Sequence, residues 1–238
     1  MLYIVPTPIG NLKDITLRAL EILKNVDGII CEDTRRTSLL LNHYNIHKPL
    51  LVLNDYNEAH IARIIVDRLK SNQNLALVSD AGTPLISDPG YKLVRECIAQ
   101  GIQVDSLPGP SSVTVALTLS GLPPDKFFFL GYPPEKSGAR LKLFHYVLDR
   151  EHNENKGIKV SYIMFDSPYK LLKTLEDMKE VFGDIEVVLA HELTKIHQSV
   201  DNKLISQWLE ELKNPKGEYI ILLRFDKLKH HFYNPERR

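Results

Sequence analysis

Acidic and loop-forming residues follow four short apolar runs in the first half of the chain, and these residue types could bind a positively charged ligand. The four sets are Pro8 with Gly10, Glu32–Arg35, Asp80–Pro84 and Pro108–Ser112. Glycine lets another group approach the backbone closely, proline fixes the shape of a turn, and carboxylates attract cations. An edge lined with carboxylates also repels polyphosphates. We therefore expect a cationic or zwitterionic ligand.

The segment 75–94 (LALVSDAGTPLISDPGYKLV) combines a buried strand with two irregular turns. The apolar run Leu75–Val78 is typical of a strand buried on both faces of a parallel sheet. After the turns, Ser87 or Asp88 can cap a helix whose first residue is Pro89. A well-capped connection between strand and helix is the simpler interpretation. Ordering two consecutive turns costs more conformational entropy than a simple connection requires. We therefore favour a ligand site.

Apolar strands alternate with amphipathic helices through residues 1–121, and this alternation predicts a parallel α/β sheet. Asp14 is expected to cap the first helix, with Leu17 among its inward-facing residues. The predicted strands of this half are Leu2–Val5, Val26–Cys31, Leu50–Leu53, Leu75–Val78 and Ile102–Leu107. We predict an α/β protein of two domains, residues 1–121 and 122–226, followed by a polar tail at 227–238.

The second half contains fewer strands and more charged segments. The predicted strands are Phe127–Leu130, Val160–Phe165, Ile185–Ala190 and Tyr219–Phe225. The segment 149–156 (DREHNENK) has no apolar residue to bury, so we expect a connector there. Three polar motifs fall at strand boundaries: Phe165–Lys170, His191–Lys195 and Lys216–Glu218. Each motif alone is typical of caps and turns, but their shared position indicates a second wall of one binding cleft.

The overall composition restricts the partners that the chain can bind. The 238 residues carry a formal net charge of +0, so a nucleic acid would have to be held by local patches rather than by a global field. The cations that could contact phosphates are Lys136, Arg140, Lys142, Lys170 and Lys173. No apolar run is long enough to span a bilayer, and no basic leader precedes the first strand. We expect a cytoplasmic protein that does not enter a membrane.

Several common cofactor motifs are absent from the sequence. No G-x-G-x-x-G follows a strand, and there is no G-x-x-x-x-G-K or G-x-S-x-G motif. Cys31 and Cys97 lack the spacing of metal ligands, and no His/Cys cluster has zinc spacing. We therefore expect no dinucleotide, P-loop or metal site.

Six motifs together resemble one protein family. They are Tyr3–Asn11 (YIVPTPIGN), Glu32–Arg35 (EDTR), Ala76–Pro84 (ALVSDAGTP), Asp88–Tyr91 (DPGY), Leu107–Pro110 (LPGP) and Glu192–Lys195 (ELTK). The chain resembles the bacterial 16S ribosomal-RNA cytidine 2′-O-methyltransferases of the tetrapyrrole-methylase superfamily, across nearly its whole length. The resemblance implies S-adenosyl-L-methionine as methyl donor, two α/β domains with the donor in the cleft between them, and a homodimer. It also implies 16S rRNA within the 30S subunit as the partner.

The resemblance also implies positions for the functional residues. Donor contacts from the first domain would be Pro8, Asp80, Gly82, Thr83, Pro84, Leu85, Pro110, Ser111 and Ser112. Donor contacts from the second domain would be Phe165, Asp166, Ser167, His191, Glu192, Leu193, Lys216, Gly217 and Glu218. A ribose hydroxyl that attacks a methyl group benefits from a proton acceptor. Glu32, Asp33 and Asp88 are the candidates, and Arg35 would orient either the nucleotide phosphate or a carboxylate.

Two other functions remain open at this point. A methyltransferase that acts on a corrin or porphyrin would have the same fold, because fold does not determine substrate. A donor-binding or ribosome-binding homologue with weakened catalysis is the second alternative. It is suggested by Asp166, Tyr169, Lys170, His191 and Gln198, where the family usually has Glu, His, Arg, Arg and Glu.

Overall fold

The chain divides into two units, Met1–Val115 and Ala116–Arg238. A computed structural model describes residues 1–54, 56–153 and 159–225. The division falls before the domain boundary predicted at residues 121 and 122. The predicted polar tail at 227–238 lies outside the described residues, as does part of the predicted connector. The α/β class is confirmed for both units.

Parallel strands form the sheet of the first unit. Among the described residues they are β1 (Leu2–Val5), β2 (Gly28–Cys31), β3 (Leu50–Val52), β4 (Leu75–Val78) and β5 (Val104–Ser106). Their order is β3-β2-β4-β1-β5, and every pairing is parallel. The register pairs Leu2 with Leu75 and Val5 with Val78, so β1 and β4 end together. The loops that follow the strands therefore leave the sheet at one edge.

Helices cover both faces of this sheet. They are α1 (Leu17–Asn25), α2 (Thr34–His43), α3 (Glu58–Lys70), α4 (Tyr91–Ala99) and α5 (Ser112–Leu119), of which α5 continues into the second unit. Ala76 and Val78 pack with α1 and α2, whereas Leu75 and Leu77 pack with α3 and α4. Because successive side chains of a strand point to opposite faces, all four residues of β4 are buried, as the sequence predicted.

The first helix begins two residues later than it would if Asp14 were its cap. Asp14 lies in a short 3-10 turn (Leu12–Asp14), and the Oγ1 of Thr16 caps α1 by accepting a hydrogen bond from the Ala19 N–H at 3.0 Å. This start places Leu17 on the solvent side, where 86% of its surface is exposed. The prediction that Leu17 faces inward was therefore wrong.

The cap of α4 comes from a distant part of the chain. The helix begins at Tyr91 after Gly90, and neither Ser87 nor Asp88 caps it, contrary to the prediction. The buried carboxylate of Glu58 instead accepts hydrogen bonds from the backbone N–H groups of Lys92 at 2.8 Å and Leu93 at 3.3 Å. Asp88 therefore lies before the helix and does not serve as its cap.

Replacing Glu58 tests this cap. We expect Glu58→Ala to lower the free energy of unfolding by about 1–3 kcal/mol, because the buried N–H group of Leu93 and the partly buried one of Lys92 lose their acceptor. Urea unfolding followed by circular dichroism measures the change. Glu21→Ala, which removes an exposed carboxylate from α1, is the control and should change the stability by less than about 0.5 kcal/mol. An equal loss in both variants would contradict the capping role.

A mixed sheet forms the core of the second unit. Within the described residues its strands are β6 (Phe127–Phe129), β7 (Ser161–Asp166), β8 (Glu186–His191), β9 (Ser199–Leu204) and β10 (Tyr219–Leu223). Their order is β6-β7-β10-β8-β9, with only β6 and β7 parallel. The helices are α6 (Ser137–Asn153), α7 (Leu171–Phe182) and α8 (Ile205–Glu211).

Two elements of the second unit differ from the prediction. The strand β9 was not predicted, because its sequence SVDNKL is polar and mostly exposed at the edge of the sheet. The helix α6 continues through residues 149–153, where a connector was expected. Charged residues hold this extension, since Glu151 accepts a hydrogen bond from the Tyr162 hydroxyl at 2.6 Å and Arg150 lies 4.6 Å above the Phe128 ring. Residues 154–158 lie outside the described part.

No helix in the described ranges has the length and hydropathy needed to cross a membrane.

Candidate functional site

Hydrogen bonds join three of the loops at the carboxyl edge of the first sheet. Thr7, after β1, and Gly82, after β4, each donate a backbone N–H to the other's carbonyl, at 2.9 and 3.0 Å. The Thr83 hydroxyl donates to the carbonyl of Pro110, after β5, at 2.9 Å. These bonds bring together Pro8, Asp80, Gly82, Thr83 and Pro110, which are predicted site residues. Ser111 and Ser112 follow directly, at the start of α5.

The loop after β4 requires unusual backbone conformations. Gly82 has a φ of +84°, and a Cβ there would lie 3.2 Å from the Cγ2 of Ile9. Leu85 and Ser87 also have positive φ angles, of 72° and 64°, although neither is glycine. Such conformations cost about 1–3 kcal/mol each and occur most often at functional sites. The turns that follow β4 therefore contain two strained residues, Leu85 and Ser87.

An acidic residue and an arginine pair after β2. Asp33 caps α2 by accepting the Arg35 N–H at 2.8 Å, and its carboxylate also accepts the Arg35 Nε at 3.0 Å and Nη2 at 2.6 Å. These hydrogen bonds lower the pKa of Asp33 to about 2. A carboxylate with so low a pKa is a weak base. The side chains of Asp33 and Arg35 thus fix each other's orientation.

Three further carboxylates interact at the same edge. Burial, together with the smaller effects of the nearby charges of Glu32 and Asp80, raises the pKa of Asp88 to about 7. Burial also raises the pKa of Asp80, against the opposing charge of Arg36, whose Nε lies 3.5 Å from its Oδ2. Like charges held together in this way favour a cation in their neighbourhood, or a proton shared among them.

In the second unit, antiparallel pairing brings the three predicted motifs to one edge of the sheet. Tyr219, the first residue of β10, pairs with Asp166 at the end of β7 and with His191 at the end of β8. The segment 216–218 comes just before Tyr219, so it lies beside both strand ends. Phe165, Ser167, Glu192 and Leu193 flank the paired residues along the chain. The predicted second-unit residues are therefore neighbours.

Hydrogen bonds fix the segments 191–195 and 216–218 to each other. The Glu192 Oε1 accepts from the Lys195 Nζ at 2.9 Å and from the Glu218 N–H at 2.9 Å. Although burial opposes it, these bonds hold the pKa of Glu192 below its usual value. His191 shares a hydrogen bond of 2.8 Å with the Lys216 carbonyl and stacks on Tyr219. A Cβ on Gly217, which has a φ of +80°, would lie 2.6 Å from the Glu192 Oε1.

Asp166 ends β7 in a buried position. Its Oδ1 accepts the Ser167 N–H at 2.8 Å, and burial raises the pKa of the carboxyl. No group of three or more His, Cys, Asp or Glu side chains in the described ranges could hold a metal ion.

The sequence of the chain matches the family of tetrapyrrole (corrin/porphyrin) methylases over residues 1–207. The chain belongs to this family. It is also similar to the ribosomal RNA small subunit methyltransferase I of Thermotoga maritima, with 47% identity over 93% of this chain and 97% of the relative. The protein of the same name from Vibrio cholerae is 47% identical over 94% of this chain and 76% of the relative. The one from Escherichia coli O157:H7 is 45% identical over 95% of this chain and 78% of the relative.

A solved structure has the same fold as this family member. A crystal structure of diphthine synthase superposes with a TM-score of 0.71, covering 93% of this chain and 88% of the other. The identity is 16%, so the likeness concerns the fold alone. The predicted tetrapyrrole-methylase architecture of two α/β units is confirmed.

One predicted RNA contact of this family member is a structural residue instead. The side chain of Arg140 is only 3% exposed, and its Nε donates to the Asp177 Oδ2 at 2.7 Å. Its Nη1 donates to the carbonyls of Pro134 and Glu135, at 3.1 and 3.2 Å. A guanidinium held in this way cannot reach a phosphate, so the prediction for Arg140 was wrong. Lys170 pairs with Glu135 at 2.6 Å, whereas Lys136, Lys142 and Lys173 are exposed.

The first unit of this methylase also has a cleft that was not predicted from the sequence. The cleft has a volume of about 160 Å³, and its lining includes Thr7, Pro8, Leu12, Arg36, Leu39 and Asp80. Arg36 and Leu39 lie one turn apart on α2, directly after the EDTR motif. Their helical spacing after that motif could have indicated that both residues belong to the site. Only the fold shows that this side of α2 faces Pro8 and Asp80.

Proposed function

We propose that this chain transfers a methyl group from S-adenosyl-L-methionine to the ribose 2′-oxygen of a cytidine in 16S ribosomal RNA. The observation that carries the proposal is the identity of about half the residues, over nearly the whole chain, with proteins named as small-subunit rRNA methyltransferases. The two clusters of predicted site residues support it. Each cluster lies at a single edge of its own sheet.

The acidic edge of the first unit fits such a donor. When bound, S-adenosyl-L-methionine supplies an electrophilic methyl group on a positively charged sulfur, so that transfer forms a carbon–oxygen bond and breaks a carbon–sulfur bond. Asp80, Asp88 and Glu32 supply negative charge that favours a cation. Gly82 lets this loop pack closely against Ile9, because a Cβ there would lie 3.2 Å from the Ile9 Cγ2. We propose that this loop and the 110–112 segment hold the donor, without a metal ion.

Asp88 is the best proton acceptor among the four predicted catalytic residues. Asp33 has a pKa of about 2 and is paired with Arg35, which orients it. Asp88, with a pKa of about 7, takes up a proton readily near neutral pH. We propose that Asp88 accepts the proton of the 2′-hydroxyl, while Glu32 raises its basicity and Arg35 stays available to a nucleotide phosphate.

The proposed RNA partner is 16S rRNA in the assembled 30S subunit. With a net charge of +0, the chain has few cations to displace counterions from free RNA. Lys136, Lys142 and Lys173 are exposed and remain candidates for phosphate contacts. We also propose a homodimer, as the resemblance implies, and a cytoplasmic location, as the sequence led us to expect. The prediction that donor contacts come from both units stays a prediction, and donor binding by residues 1–121 alone would test it.

Donor binding is tested by calorimetry. We expect S-adenosyl-L-methionine and its demethylated product to bind without added metal, and Gly82→Val to abolish the binding heat. The valine would be strained at a φ of +84°, and its Cβ would press against Ile9, so the loop would have to shift. Gly101→Val is the matched control, because Gly101 has a φ of +68° but open space around its Cβ. Saturation by ATP or NAD, with no response to either donor form, would refute the assignment.

The substrate is tested by mapping 2′-O-methylation across 16S rRNA from cells with and without the gene. A cytidine that loses its methyl group in the deletion strain, and regains it with the purified protein and 30S subunits, supports the proposal. The family also contains methylases of corrins and porphyrins. A change in the visible absorbance of such a macrocycle on mixing, without methylation of 30S subunits, would favour that alternative.

A further inference from the structure

The cleft on the first unit has a volume close to that occupied by a single six-membered ring. Its volume is about 160 Å³. An apolar cavity of about 150 Å³ in another protein accommodates benzene. A pyrimidine ring is of this size, whereas a purine has two fused rings.

The walls of the cleft suit the flat faces of a base. Leu12, Leu39 and Pro8 contribute apolar surface to its lining. Leu39 is 73% exposed and Leu12 is 38% exposed, which leaves apolar surface open to solvent beside the predicted site. Nucleobases that leave a single strand bind by stacking on side chains and by hydrogen bonds along their edges. A base in the cleft would cover this surface.

A hydrogen-bond acceptor and a donor lie side by side on the same cleft. Asp80 offers its carboxylate, which is positioned by the Asp33 N–H at 3.3 Å. Arg36 offers its guanidinium, with the Nε 3.5 Å from the Asp80 Oδ2. Cytosine carries an amino donor next to the ring acceptors N3 and O2, and carboxylates accept from that amino group in known recognition. At the positions of the cytosine amino group and N3, uracil has an acceptor and a donor. The order of donor and acceptor is therefore reversed in uracil.

We propose that this cleft receives the cytosine ring of the target nucleoside, with Asp80 accepting from its amino group and Arg36 donating to its ring acceptors. The proposal rests on the proposed function and extends it to base selection. Pro8 and Asp80 line the cleft and also belong to the predicted donor contacts. A base bound here therefore places its ribose beside the donor loop.

Two variants test the cleft against a matched control. Leu39→Trp fills the cleft, and Arg36→Gln replaces a pure donor by an amide that can donate or accept. Leu17→Trp is the control, because Leu17 is also exposed, at 86%, but does not line the cleft. Donor affinity is measured by calorimetry. Methyl transfer is measured on 30S subunits that carry the target cytidine or a uridine in its place.

We expect all three variants to bind the donor within about twofold of the wild-type affinity. Leu39→Trp should lower kcat/KM by at least about 100-fold, and Leu17→Trp should leave it unchanged. Arg36→Gln should reduce the preference for cytidine over uridine by at least about tenfold, since one base-edge contact is worth about 5- to 150-fold in discrimination.

Three results would overturn the cleft assignment alone. The first is loss of donor binding in Leu39→Trp, which would assign the cleft to the donor. The second is an unchanged kcat/KM in Leu39→Trp. The third is an unchanged preference for cytidine over uridine in Arg36→Gln. A wild-type protein that binds no donor and methylates no subunit would instead overturn the proposed function and this assignment together.

Discussion

Asp88→Asn lowers the rate of methyl transfer to 30S subunits by a factor of about 10² to 10⁴, the usual contribution of a positioned proton acceptor. Asparagine keeps the size of the side chain but cannot take up the proton. Donor affinity, measured by calorimetry, should change by less than about tenfold, because Asp80 and Glu32 remain. The matched control is Asp67→Asn, which changes an exposed carboxylate on α3 and should leave the rate unaltered.

The pH dependence of the wild type identifies the group. Asp88 must be ionised to accept a proton, and its pKa is about 7. The single-turnover rate should therefore fall as pH drops below about 7 and level off above it. The Asp88→Asn variant should lack this inflection. An unchanged inflection near pH 7 in the variant would assign the proton acceptor to another group.

Stability measurements separate this effect from unfolding. The folded pKa of about 7 lies above the ordinary value of 3.8, so the protonated carboxyl stabilises the folded state at low pH. That stabilisation is lost as pH rises from about 4 to 7. At pH 8 the wild type holds an ionised Asp88 near two other carboxylates, whereas the variant does not. We expect Asp88→Asn to be at least as stable as the wild type at pH 8.

Arg140→Ala lowers the free energy of unfolding of the second unit by about 3–5 kcal/mol, because Asp177 is left as a buried charge without its partner. The carbonyls of Pro134 and Glu135 lose a donor as well. Trp208, the single tryptophan of the chain, is buried in this unit, so its fluorescence reports the transition in urea. Lys142→Ala, which removes an exposed cation from the same helix, is the control and should have little effect.

A double replacement distinguishes the buried pair from a general requirement for charge. Replacing a buried ion pair by apolar residues of similar volume is often neutral. Arg140→Met combined with Asp177→Leu should therefore recover most of the stability lost in Arg140→Ala. A loss of less than about 1 kcal/mol in Arg140→Ala, together with weaker binding to 30S subunits, would instead support the phosphate contact predicted from the sequence.

The amino-acid sequence alone determined the strands of the first sheet and the motifs at their ends. The apolar run Leu75–Val78 can be buried on both faces only at the centre of a parallel sheet, and β4 lies there. Parallel strands place their following loops at one edge, so order along the chain was sufficient to group Pro8, Asp80 and Pro110. Local patterns of this kind depend on neighbours in sequence, and the sequence shows them directly.

Which distant groups meet is visible only in the folded protein. The cap of α4 by Glu58, the burial of Arg140 against Asp177 and the polar edge strand β9 leave no local pattern, because each depends on a partner far along the chain. The raised pKa of Asp88 likewise depends first on burial and then on the charges of Glu32 and Asp80, none of which a local sequence pattern shows. Electrostatic interactions and burial act through space, and the spacing of residues along the chain does not contain those distances.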